Sequence, residues 1–209
     1  MNIFYLDEDP TKCAELHCDK HVCKMIIEYA QLLSTGDRVL VGKPYVSQTL
    51  GGRRIQRWKH PNYVMENVLY KASHVNHPSG KWVRDSVYNY QFLLQLWQQL
   101  CFEYTYRYGK VHLTYQKLSK ILTKVPENID NKPFYQPTQA MPEDVKSDCS
   151  LEAYHKYYAI YRSKESWLQP TEDDEGRWVS ESDNFCPDCY QAEMMREYLV
   201  DMEFVALDK

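Results

Sequence analysis

Residues 17–31, HCDKHVCKMIIEYAQ, decide how this chain is read, because they place His17, His21, Lys24, Glu28 and Gln31 at alternating intervals of four and three. At about 100° per residue these five side chains share roughly a quarter of a helix circumference. Cys18, Val22, Met25, Ile26, Tyr29, Leu32 and Leu33 fill the adjoining arc, and Cys23, Ile27 and Ala30 cover much of the back. A helix that is apolar on most sides is a buried helix. Its polar stripe must line a cleft or find partners inside the protein.

The stripe admits three readings. In the first, Lys24 and Glu28 are an i, i+4 ion pair on a solvated face and the histidines are structural. In the second, a carboxylate, an amine and two imidazoles converge in a pocket, a set suited to acid/base or Schiff-base chemistry. In the third, His17 and His21 clamp a metal ion from successive turns. The His-Glu-x-x-His zincin pattern is absent, since Cys18, Asp19 and Lys20 stand between them. Cys186-Pro-Asp-Cys189 is a single CxxC with no second pair, open to half a zinc site, a redox pair or two unpaired cysteines in a turn. No cofactor is expected.

Outward from the stripe the pattern is mostly helical. Asp9-Pro10 forms an N-cap and N1 pair for a first helix to about Leu16, and Asp19 opens or continues one to about Ser34, stopping near Thr35-Gly36. Residues 37–60 read as loop or a small hairpin, and 61–72 as a short helix. Pro78 and Ser79 announce a long helix to about Tyr108. It buries Val83, Val87, Tyr90, Leu94, Trp97, Cys101, Tyr104 and Tyr108, and Gly109 ends it. A short helix over 113–122, an extended surface connection over 126–142 and a helix over 150–168 complete the body. The expected fold is mostly α: a compact helical domain over 1–170 with a long central helix and a short β or irregular segment around 37–60. An acidic C-terminal extension, 171–209, carries the CxxC turn and a short helix.

The chain has 209 residues with 44% hydrophobic content, enough to bury a sizeable core. It shows no run long enough to span a membrane and no positively charged leader, so the cytoplasm is the expected compartment, that of the host if the protein is phage-encoded. Seven scattered cysteines read as reduced thiols. Charge is uneven. Twelve acids against three bases give residues 172–209 a balance of −9, and with −4 for the whole chain the first 171 residues carry +5. Residues 51–84 hold Arg53, Arg54, Arg57, Lys59, Lys71, Lys81 and Arg84 against Glu66 alone. With Trp58 among them they read either as a phosphate-facing surface or as a solvated basic loop.

These residues carry a resemblance. The opening Met1-Asn-Ile-Phe-Tyr-Leu-Asp7, then Asp19-Lys-His21, Lys24, Glu28 and Gln31, then Asn76-His77-Pro78-Ser79 and Trp82, resemble a family of small phage and bacterial proteins. That family is distantly similar to the pyrimidine-dimer DNA glycosylases of the phage endonuclease V type. The resemblance covers about residues 1–168 and implies a helical enzyme that removes a base from its sugar and nicks the abasic strand. It makes Glu28 the catalytic carboxylate, His21 its orienting partner and the chain's α-amine the nucleophile. An α-amine, with a reference pKa of ~7.7 to 8.0, is partly neutral near pH 7. Asn2 is large enough to leave Met1 in place, so the amine is that of Met1, with Lys24 as substitute. His17, Gln31, Arg53, Arg54, Arg57, Trp58, Asn76, His77 and Arg84 are candidate substrate contacts. DNA or a nucleotide is the expected substrate. Two other classes stay open: an enzyme acting on free nucleotides or a small nucleic-acid metabolite, and a non-catalytic phage protein that binds nucleic acid or a host factor.

Overall fold

A computed structural model describes residues 1–162 and two short paired strands, Thr171–Glu172 and Trp178–Val179. The fold is mostly α, organised around two long helices, and no described helix is long and apolar enough to cross a membrane. After a buried extended segment, Ile3 to Leu6, helix α1 (Pro10–Glu15) starts at Asp9, whose carboxylate accepts the Thr11 amide, with Pro10 at the first helical position. Helix α2 (Asp19–Val41) follows, and residues on every side of it are buried.

Helix α2 runs well past the expected stop at Thr35-Gly36. Gly36 faces Tyr90 and Val83, where a Cβ would sit 3.4 Å from the Tyr90 ring, so a close helix contact outweighs the poor helix propensity of glycine. Arg38 then anchors the last turn. Its guanidinium donates to Tyr70 O at 2.7 Å, Trp58 O at 3.1 Å, Leu69 O at 3.0 Å and Glu66 O at 2.7 Å, and pairs with the Glu66 carboxylate. The stop comes at Gly42, where a Cβ would lie 2.4 Å from Arg38 O and 3.1 Å from Lys59 O. From there the chain forms an antiparallel hairpin, β1 (Lys43–Gln48) with β2 (Arg54–Lys59). Asn62 caps the short α3 (Tyr63–Val68).

The long helix expected from Pro78 to Tyr108 is two: α4 (Pro78–Asp85) and α5 (Val87–Tyr108). Ser86 is extended, its hydroxyl accepting the Tyr88 amide and donating to Lys132 O, while Val87 N–H donates to Asp130 O. The break thus serves a strap over 130–140, which also accepts the Trp82 indole N–H at Tyr135 O. Gly109, in the left-handed region with φ of 64°, ends α5. Beyond α6 (Leu113–Leu118) and the strap, α7 (Ser150–Tyr157) passes into a π turn over Tyr158–Arg162, and the rest of the helix expected to 168 lies outside the described residues. Packing of α2 on α4 and α5, and of α1 on α5, encloses one core of Tyr29, Leu33, Trp82, Tyr90, Trp97 and Tyr104 with the N-terminal segment.

Candidate functional site

The N-terminal segment is held from both sides, and this fixes where the α-amine lies. Phe4 N–H donates to Tyr29 Oη at 3.1 Å, and Cys13 Sγ donates to Phe4 O at 3.2 Å. Opposite, Asn2 donates to Ala140 O and accepts the Tyr154 hydroxyl, and His155 donates to Leu6 O. Met1 packs half-buried against the core.

His21, Lys24, Glu28 and Gln31 lie on α2, whereas His17, expected on the same helix, falls in the bend between α1, which ends at Glu15, and α2, which starts at Asp19; the five residues divide into three parts. His17 and His21 belong to the lock on the N-terminal segment. His17 Nδ1–H donates to Cys13 O at 2.6 Å, which leaves Nε2 to accept the Tyr29 hydroxyl at 2.9 Å. Burial drives the His17 pKa down to about 4, so the ring is neutral with both nitrogens engaged. His21 stacks on Phe4 with ring centroids 4.0 Å apart, and its Nδ1 meets Tyr158 Oη at 2.6 Å. Among the described residues no group of three or more His, Cys, Asp or Glu side chains is placed to hold a metal ion. Cys186 and Cys189 lie outside the described residues.

The second part is the ion pair of Lys24 Nζ with Glu28 Oε1 at 3.5 Å. Glu28 keeps only 7% of its side chain exposed while Lys24 keeps 40%, so the amine is not desolvated as a lysine nucleophile would have to be. At the far end Gln31 is fully buried, its amide N–H donating to Lys71 O at 2.8 Å and to Thr35 Oγ1 at 3.3 Å.

His77 feels both Glu28 and the chain terminus electrostatically. Burial lowers its pKa, the positive charges of the Met1 α-ammonium and of His74 lower it further, and the Glu28 carboxylate opposes them. All three groups therefore lie within electrostatic range of the His77 ring. His77 caps α4, its Nδ1 accepting the Ser79 amide at 3.2 Å, so the neutral ring carries its proton on Nε2. His74 adopts a positive φ of 49°, an uncommon conformation for a residue with a side chain. Nothing in the sequence singles out His74, because the signal is a backbone angle.

The basic stretch splits by exposure. Arg53, Arg54 and Lys59 are exposed on the hairpin, Asn76 is exposed, and Trp58 and Arg84 are half-buried, Arg84 donating to Gly80 O at 2.9 Å. Arg57 points inward. It is 3% exposed, its Nη1–H donates to Ala72 O at 3.0 Å, and its Nε and Nη2 have no hydrogen-bond partner among the described residues. Arg107, by contrast, pairs with Glu103 at 2.6 Å and Asp19 at 3.0 Å.

No family model, no curated protein and no solved structure matches this chain.

Proposed function

We propose that the protein is a DNA base-processing enzyme of the glycosylase/lyase kind, with the Met1 α-amine as nucleophile and Glu28 as its carboxylate. The observation that carries this reading is that the α-amine and Glu28 both lie within electrostatic range of the His77 ring, with the N-terminal segment pinned at Asn2, Phe4 and Leu6. A nucleophile at a chain end works only if the end is held, and here it is.

The reaction balances with these groups alone. The neutral amine attacks C1′ of the sugar, the electron pair of the glycosidic bond leaves with the base, and the base takes up the first amine proton. As the C1′–O4′ bond opens, its electron pair stays on O4′, which takes up the second amine proton, and the nitrogen lone pair forms the C=N bond of an imine that water hydrolyses. Glu28, close to fully buried, offsets the positive charge that grows on the sugar as the bond breaks. The Nε2–H of His77 supplies a donor for the ring oxygen. Lys24 Nζ lies 3.5 Å from Glu28 Oε1, on the carboxylate's solvent side.

A second reading, action on free nucleotides, draws support from the net charge of −4 and from the inward turn of Arg57, which leaves fewer cations to track a strand. The test is base release from oligonucleotides bearing damaged or modified bases and from the matching free nucleotides, with wild type beside Glu28→Gln. Release from oligonucleotides that falls by about a hundredfold or more in the variant, with binding retained, supports the DNA reading. Release from nucleotides alone supports the second, and release from neither overturns both.

A further inference from the structure

On the side of the N-terminal segment turned away from His21, a cavity of about 490 Å³ opens between that segment, α5 and the 130–140 strap. Neighbouring residues Phe4 and Tyr5 separate the two regions: Phe4 stacks on His21, whereas Tyr5 meets Phe92 edge to face with centroids 5.3 Å apart. The size falls in the range of about 300–1,000 Å³ usual for small-molecule sites.

Its chemistry is specific. Tyr5, Phe92 and Phe134 make an aromatic floor, and Tyr88 and Tyr135 stand half-exposed at its edges. Tyr5 is 2% exposed, yet its hydroxyl makes no hydrogen bond within the described structure and is not among the sealed polar atoms, so it opens to the cavity. Burial, with Glu8 adding to it, lifts the Tyr5 pKa to about 12, which keeps that hydroxyl a donor at neutral pH. Gln91, Gln95 and Glu8 add to the polar lining with Gln136, whose amide is engaged by Ser150 N–H and Cys149 Sγ, and among the described residues no lysine or arginine contributes to it. Flat aromatic walls select a planar ring by stacking. One buried hydroxyl donor asks for a ring acceptor, Glu8 asks for an N–H donor, and the absence of a cation disfavours phosphate.

We infer that this cavity binds an amino-bearing nucleobase or nucleoside, adenine- or cytosine-like, with a ring nitrogen accepting from Tyr5 Oη and the exocyclic amine directed to Glu8 and the glutamine oxygens. The site stands independently of the Glu28 chemistry, since none of Met1, Glu28 and His77 lines it.

Calorimetric titration of the full chain with adenosine, cytidine, uridine and adenosine monophosphate tests it. Adenosine or cytidine binds saturably, uridine and the monophosphate bind more weakly, and Tyr5→Phe, which removes one oxygen and keeps the packing, raises the adenosine Kd about tenfold. Tyr88→Ala, at a half-exposed edge, weakens binding without threatening the fold. The inference is overturned if no ligand gives saturable heat in the millimolar range, if uridine binds as tightly as adenosine and cytidine, or if both variants titrate like wild type.

Discussion

His17 Nε2 lies 2.9 Å from Tyr29 Oη, and this bond ties two turns of the chain to the N-terminal segment through the Phe4 amide on the same hydroxyl. The bond needs a neutral imidazole, because Nδ1–H already donates to Cys13 O. The folded state therefore holds the His17 proton less tightly than the unfolded chain, with a pKa of about 4 against 6.5. Its contribution to stability is complete above pH 6.5 and is lost as the pH falls from 6.5 toward 4. At about 1.4 kcal/mol per tenfold change in proton affinity, that loss is about 3 kcal/mol. Urea unfolding across this window should show the slope in wild type and a flatter one in His17→Gln.

Gly42 sits where the end of α2 meets the hairpin. Gly42→Ala should destabilise the protein by about 1–3 kcal/mol, because its Cβ has backbone oxygen in the way and cannot be accommodated by a rotamer change. A chemical denaturation midpoint equal to that of wild type would show that the α2–β1 junction relaxes freely.

His77 serves a cap and, in the proposed chemistry, a donor, and two substitutions separate these roles. Asparagine is a good N-cap residue, so His77→Asn should keep stability within about 0.5 kcal/mol while lowering base release; His77→Leu should also lose about 1 kcal/mol of stability. Equal activity in His77→Asn and wild type would remove the imidazole from the mechanism.

Arg57 is a buried guanidinium with two unpartnered nitrogens, Nε and Nη2, and no carboxylate paired with it among the described residues. A charge held that way costs stability. Arg57→Met, of similar reach, should stabilise the protein by about 1 kcal/mol or more. A lower melting temperature in the variant would show that the bond to Ala72 O outweighs the desolvation of the charge.

How much of this was legible in the residues follows from what each feature depends on. The helical stripe from His21 to Gln31, the cap at Asp9 and the stop at Gly109 rest on local chemistry, and the mostly helical fold follows from them. The continuation of α2 through Gly36 and the break at Ser86 depend on Tyr90, Arg38 and the strap at 130–135, partners far away in the chain. The stripe named Glu28 and Lys24 together, but could not say that His17 and His21 face the N-terminal segment or that Arg57 turns inward. His77 stood out only as part of a motif. That Glu28 and the amine lie within electrostatic range of it is a product of tertiary packing.

The proposed chemistry turns on which nitrogen attacks the sugar. Incubating the full chain with abasic DNA in the presence of borohydride, then mapping the adduct by peptide mass spectrometry, reads that nitrogen directly. The expected result is a reduced adduct on the Met1 α-nitrogen, unchanged in Lys24→Met and strongly diminished in Glu28→Gln. An adduct on a lysine side chain, or no adduct at all, would contradict it.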